Sequence, residues 1–441
     1  MLKVIIFIHI IFVCFFSTKS FSYNSSSYLI ANTAMMLYDY DEAKNHYNLD
    51  EINNFNSNDL VKKLIAHVIS GELYSANLIS KELINIDFKN QEAWLVYLVY
   101  AKNNNNYQAF TEFEAKRTNQ DFKVLDYVFY KNSDLKQNNI EISKSIFDII
   151  NSSTSNKFND IFNYEFLLFY LSLCIELDPS FDEAYFYIAQ IYQRIGNYNF
   201  AEKFYNKINT KHFLFIEGQK FIALNKKEEN NFVEAESDLL FLLKNYPDKK
   251  ELLISIGDLY RTTKNYKKAI LYYSKILNKP EITQDMKWQL LYMRGICYER
   301  INNWESAESD FLQSLKIKPD SPQVLNYLAY GWLERNIKIN ESLKMLVKAH
   351  NQYPDSYYIL DSLAWGYFKI NNLEKASSLM EEVLFMAPWE AISLDHLGDI
   401  YFAMGRKREA YYMWKQAKDL ATHEDNIIES VLSKIEKYES G

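Results

Sequence analysis

Small and large apolar residues recur along this chain with the period of an α-helix, and the helical runs themselves recur at a longer interval. In IGDLYRTTKNYKKAILYYSKI, Gly257 is followed by Tyr260 three residues on, Ala269 twelve on and Tyr273 sixteen on. The same offsets run from Ala189 (Tyr192, Ala201, Tyr205), Ala223 (Ala235, Leu239), Gly295 (Tyr298, Ala307, Phe311), Ala364 (Tyr367, Ala376) and Gly398 (Tyr401, Ala410, Trp414). From Ala329 they reach Trp332, with one residue inserted before Ser342. Successive anchors lie 34, 34, 38, 34, 35 and 34 residues apart, and Pro247, Pro319, Pro354 and Pro388 fall where a second helix must stop. Such a period predicts helical hairpins that cannot bury their apolar faces alone and therefore stack. The fold class expected is all-α, a solenoid of stacked antiparallel helix pairs. The small anchor is expected to face the later Ala where the two helices of a hairpin approach most closely. The large residues three after the anchor and four after the second Ala are expected to fill the groove between hairpins.

The pattern weakens toward the N-terminus, where Ala31, Ala43 and Tyr47, then Leu64 and Ala76, keep the spacing, and Asn90 to Trp94 opens a third unit. Residues 119–160 carry no anchor and include the polar run from Asn151 to Asn156, which reads as an irregular helical join. The tail from Asn426 to Tyr438 is one amphipathic helix (Ile427, Ile428, Val431, Leu432, Ile435) suited to capping the last hairpin. The expected organisation is residues 1–22 as an export signal and 23–118 as degenerate repeats. The join follows at 119–160, the regular array at 161–421 and the capping helix at 422–441.

Composition narrows the class. The 10 Gly and 7 Pro in 441 residues are too few for the turns of an all-β chain, and the 35 Tyr and 29 Phe suit helices packed through large side chains. A net charge of −8 without a basic block argues against nucleic acid as a partner. Met1-Leu2-Lys3, the apolar run from Val4 to Phe16 and Ser20-Phe21-Ser22 read as a secretory signal cut after Ser22. Loss of Lys3 and Lys19 would take the charge from −8 to −10. The rival reading keeps the segment as a membrane anchor. Lipidation at Cys14 would need small residues before it, where Ile11-Phe12-Val13 stand. Cys174 and Cys297 sit on helices too far apart in the stack to be bridged, and read as buried apolar residues.

No reaction chemistry emerges. The seven His are scattered, no H-E-x-x-H, phosphate-binding glycine loop or nucleophile elbow occurs, and neither a metal nor a cofactor is expected. His396 beside Asp395 lies on a different helix face from it and reads as packed or solvated.

The repeat resembles the tetratricopeptide consensus, which implies a right-handed superhelix whose first helices line a concave, partner-binding groove. Carried over by offset, the groove positions are Tyr292, Asn326, Tyr330, Asp361, Trp365, Phe368, Asp395, Asp399 and Phe402. Exposed aromatic residues beside Asn and Asp suit a protein or peptide partner. Asp361, Asp395 and Asp399 stand where carboxylate-clamping repeats carry cations, so an anionic peptide end is expected to be repelled. VLNYLAYGWLERN (324–336), ILDSLAWGYFKINNLEKA (359–376) and SLDHLGDIYFAMGRKREAYYMWKQA (393–417) resemble exported tetratricopeptide proteins of Gram-negative bacteria. One such relative is a lipoprotein adaptor that activates a carboxyl-terminal processing protease and delivers cell-wall hydrolases to it. The resemblance implies a non-catalytic periplasmic scaffold, exported by the Sec route, whose partner is an envelope protease or cell-wall enzyme. The alternative is a structural part of an envelope assembly for secretion, pili or outer-membrane biogenesis.

Overall fold

The computed structural model describes residues 25–47, 57–117, 122–130, 138–154, 164–422 and 425–440. The export signal expected at 1–22 lies outside them, as do residues 155 and 156 of the polar run. All regular structure among the described residues is helical. In the compact unit of residues 1–225 the helices are α1 (Ser25–Met36), α2 (Tyr40–His46), α3 (Ser57–Ile69), α4 (Leu73–Ile86), α5 (Gln91–Asn103), α6 (Gln108–Lys116), α7 (Lys123–Tyr130), α8 (Asn139–Thr154), α9 (Tyr164–Leu177), α10 (Asp182–Arg194) and α11 (Tyr198–Tyr205). Helix α12 (Phe215–Glu228) runs across the boundary into the second unit, residues 226–441. There follow α13 (Phe232–Asn245), α14 (Lys250–Thr262), α15 (Tyr266–Leu277), α16 (Gln284–Arg300), α17 (Trp304–Ile317), α18 (Pro322–Glu334), α19 (Ile339–Gln352), α20 (Tyr357–Lys369), α21 (Leu373–Met386), α22 (Ala391–Ala403), α23 (Lys407–Leu420) and α24 (Ile428–Glu439).

Asparagine makes many of the turns that glycine makes elsewhere. Asn302 takes φ 60° and the Asn303 amide donates to the Tyr298 carbonyl at 2.9 Å, closing α16 with the six-to-one bond of a left-handed C-terminal cap. The Asn303 side chain then accepts from the Ser306 amide at 3.2 Å and starts α17. Asn371 and Asn372 repeat the device between α20 and α21, with φ 62° and an Asn372 amide to Tyr367 carbonyl bond of 3.0 Å. Short turns of this kind send each second helix back antiparallel to the first. A chain with 10 Gly can therefore build many tight helix turns, because Asn tolerates the left-handed region.

The hairpin interior differs from the expectation in one respect. A Cβ added at Gly257, Gly295 or Gly398 would first meet Tyr273 at 2.6 Å, Phe311 at 2.6 Å or Trp414 at 2.4 Å. The anchor is thus pressed by the ring sixteen residues on, inside its own hairpin, rather than by the Ala twelve on. Within residues 226–441, alanine replaces glycine at the anchor where that partner is aliphatic: Ala329 clusters with Leu346, and Ala364 with Met380. In those two hairpins glycine moves two places on. Gly331 lies under Trp304 of the preceding hairpin, where a Cβ would come within 2.1 Å of the ring. In the first unit Ala189 and Tyr205 are both fully buried in one core, and the Tyr205 ring stacks on Phe221 at 5.8 Å.

The stretch expected to be an irregular join contains a regular helix. α8 packs on α9, with the Ser143 hydroxyl donating to the Cys174 carbonyl at 3.1 Å and the Cys174 thiol to the Ser143 carbonyl at 3.4 Å. Ser143 and Ser145 are buried there, the close approach being made by serine instead of the Gly/Ala anchor sought in the sequence. Cys174 and Cys297 are free and buried, and burial pushes both thiols up, Cys297 to about 12.

Candidate functional site

In the second unit, the first helices of successive hairpins, α16, α18, α20 and α22, line a groove of about 460 Å³. Three offsets from the anchor supply most of its wall. Six before it stand Gln323, Tyr358 and Ile392; three before, Tyr292, Asn326 and Asp361; two before, Tyr327 and Ser362. Tyr330, one after an anchor, Tyr357, Glu390, Ser393 and Arg300 complete the lining. Four of the nine residues chosen from sequence, Tyr292, Asn326, Tyr330 and Asp361, are therefore brought together here. The offsets six and two before the anchor were not used in that choice, so Gln323, Tyr327, Tyr358 and Ile392 were missed. The recurrence of Gln323, Tyr358 and Ile392 at one register, in the first turn of the helix, was the available signal.

The polar groups of this wall are unevenly satisfied. Asn326 is 7% exposed, and its Oδ1 has no hydrogen-bond partner among the described residues. A buried amide oxygen left unpaired costs about 1–3 kcal/mol unless something supplies a donor. The hydroxyls of Tyr292, Tyr327, Tyr330 and Tyr358 make no hydrogen bond within the described residues, whereas Tyr357 donates to Glu390 Oε1 at 3.1 Å. Burial first, then nearby carboxylates and tyrosines, raises the pKa of Tyr292 and Tyr330, so both stay neutral and able to donate.

Asp361 is committed elsewhere. Its carboxylate accepts from the Ser393 hydroxyl at 2.8 Å and lies 3.1 Å from His396 Nδ1. Burial disfavours the His396 cation, but the adjoining Asp361 carboxylate, with Asp395 and Glu334 beyond it, more than offsets this and holds its pKa above the ordinary 6.5. Trp365 stacks on the same imidazole at 4.0 Å between centroids, on Phe368 at 4.7 Å, and donates through Nε1 to Glu334 at 2.7 Å. Lys434 of α24 reaches Asp395 at 2.7 Å and Asp399 at 2.7 Å, and Trp414 Nε1 donates to Asp399 at 3.1 Å.

Three expectations are corrected by this geometry. Trp365, Asp361, Asp395 and Asn326 are buried, and Tyr292, Tyr330, Phe368 and Asp399 are half-buried. Of the nine, Phe402 alone is exposed. The tryptophan is part of the packing between α20 and α22, because its ring is sandwiched by His396 and Phe368. The groove is also less acidic than its sequence: Asp361 is paired by His396, and Asp395 and Asp399 by Lys434. Repulsion of an anionic peptide end, argued from those three carboxylates, loses its basis. His396 is a packed residue whose partner is the aspartate one hairpin earlier, not its neighbour Asp395.

Among the described residues no cluster of His, Cys, Asp and Glu is arranged to hold a metal ion, and no helix is long and apolar enough to cross a membrane. Residues 222–285 match the family model described as Tetratricopeptide repeat. A TPR repeat-containing protein of Pseudomonas aeruginosa is 30% identical over 110 residues, which is 25% of this chain and 18% of that protein. The chain thus spans under a fifth of the length of that relative. Among solved structures, a tetratricopeptide repeat protein from Parabacteroides merdae is 19% identical with a TM-score of 0.46, covering 58% of this chain and 98% of that one. Yeast Tom70 is 12% identical with a TM-score of 0.42, covering 95% of this chain and 96% of that one. The hairpins within residues 222–285 thus match the tetratricopeptide model.

Proposed function

We propose that this chain is a non-catalytic scaffold that holds a segment of a partner protein in the groove between α16 and α22. The supporting observation is the Asn326 amide, nine-tenths buried in the groove wall with an unpartnered acceptor, beside four tyrosine hydroxyls free to donate. A polypeptide backbone supplies both missing partners, N–H for Oδ1 and C=O for the hydroxyls, while tyrosine faces cover its side chains. The N-terminal sequence, a short basic start followed by an apolar run and Ser-x-Ser, supports export to the periplasm. The motifs LNYLAY, DSLAWG and DHLGD support a tie to envelope proteolysis or cell-wall turnover.

The test places a photo-crosslinking amino acid at Tyr358, which is 45% exposed in the groove wall, with Tyr353, exposed outside it, as control. A discrete protein adduct is expected from position 358 and not from 353. Asn326→Leu should abolish the adduct while leaving helicity intact, since it exchanges an unpaired amide for an apolar side chain of similar size. An adduct that survives this substitution, or forms equally from 353, refutes the groove assignment. Fractionation of cells tests the address: the chain should begin at Tyr23 and appear in the periplasm.

A further inference from the structure

The C-terminal helix is seated in an unusual way. A cap on an exposed hairpin end buries its apolar stripe, yet α24 buries Val431 and Ile435, whereas Leu432 remains exposed. Near its end Tyr438 stacks on Tyr411 at 4.7 Å and Glu439 accepts from the Tyr411 hydroxyl at 2.6 Å; its remaining attachment is ionic. Lys434 sits on Asp395 and Asp399, three before and one after the Gly398 anchor. Those are the offsets of Asn326 and Tyr330 in the groove, so α24 lies against the continuation of the same helix face. Between α24 and the last hairpin there remains a cleft of about 760 Å³, with Phe402 and Trp414 in its wall. Phe402 is 42% exposed. The helix supplies the cation this end of the array takes and leaves Phe402 partly uncovered, while Trp414 is buried.

We propose that α24 is a built-in stand-in for a partner: the end of the array takes an amphipathic helix bearing a Lys or Arg on Asp395 and Asp399, with an apolar side chain against Phe402. Helix α24 yields its place to that partner. Charge and shape together specify the occupant. Two carboxylates within reach of one ammonium select a cation, and the exposed face of Phe402 beside them selects an apolar neighbour on the same helix face. Helix α24 has twelve residues, too few to hold a helix in water unaided, so its docking depends on contacts and on its tether. The tether keeps a weak segment in place by raising its local concentration, and a segment held that way can be displaced by a better-fitting one. This site is separate from the groove at Asn326 and is tested independently of it.

The experiment uses the full chain and a fluorescein-labelled peptide with the sequence of residues 426–440 as the probe. Lys434→Glu sets an anion on two carboxylates; Lys434→Met removes the cation alone. In both variants amide exchange in α24 should rise about tenfold or more, the scale of one charge-assisted hydrogen bond, with α22 and α23 still protected. Each variant should then bind the peptide about tenfold more tightly than the unaltered chain does, and a peptide carrying Glu in place of Lys434 should not bind. The proposal is overturned if α24 exchanges no faster in either variant. It is equally overturned if α22 and α23 open together with α24 in both, which makes the helix an integral part of the hairpin. Peptide binding that ignores the lysine also refutes it.

Discussion

Adding one methyl group at Gly398 isolates the contact that sets hairpin spacing. The new Cβ would lie 2.4 Å from both Cδ1 and Nε1 of Trp414, about 1 Å inside van der Waals contact. The ring cannot swing aside freely, because it is buried and its Nε1 is bonded to Asp399, which Lys434 also holds. Overpacking of this kind costs about 1–3 kcal/mol. Against it stands the intrinsic gain of alanine over glycine inside a helix, roughly 1 kcal/mol. Gly398→Ala should therefore be destabilising by about 0–2 kcal/mol in the unaltered chain. In a Trp414→Leu background the clash is gone and the same change should stabilise by about 1 kcal/mol. The coupling in the double-mutant cycle is thus expected at about 1–3 kcal/mol. A stacked array need not unfold in one step, so native-state hydrogen exchange in α22 and α23 is the suitable readout, rather than a global melt. If Gly398→Ala raises protection equally with and without Trp414, the ring does not set the spacing and the reasoning fails.

Trp365→Ala should cost about 3–5 kcal/mol by emptying a buried stack, so lost partner capture in this variant would accompany lost amide protection in α20 and α22; protection equal to that of the unaltered chain would refute the packing role. Asp310→Asn breaks the paired contacts of Arg294, both 2.7 Å, and should destabilise by about 3 kcal/mol, while Arg294→Leu with Asp310→Leu should recover most of it, both read by native-state hydrogen exchange in α16 and α17. His396 has a raised pKa in the folded state, so its pairing with Asp361 contributes fully below about pH 6.5 and is lost as the pH climbs through the folded value. The amide protection factors of α20 and α22 in the unaltered chain should accordingly fall on the alkaline side of that range, and His396→Gln should flatten the profile; a parallel decline in both proteins would remove the histidine from the account.

The array was legible in the sequence because steric fit repeats: a small anchor, a small residue twelve on and a large one sixteen on leave a fixed spacing whatever lies between. What the spacing does not reveal is which small position the large side chain presses. The pairing of Gly257, Gly295 and Gly398 with Tyr273, Phe311 and Trp414 emerges from contact. Polar partners were illegible for a different reason. Ser393 and Asp361 are 32 residues apart, His396 and Asp361 35, Trp365 and Glu334 31, and Lys434 and Asp399 35, so each bond joins one repeat to the next. Reading within a helix turns up His396 next to Asp395 and finds nothing; reading one repeat back finds Asp361. The acidic look of the groove was an artefact of counting Asp361, Asp395 and Asp399 without the His396 and Lys434 that the stacking register lays over them. The proposed function places the partner where that register leaves a polar group of the groove unanswered. Asn326, whose Oδ1 no neighbouring helix reaches, is such a group in this groove, which is why the crosslink from position 358 is tested against Asn326→Leu and not against the buried tryptophan.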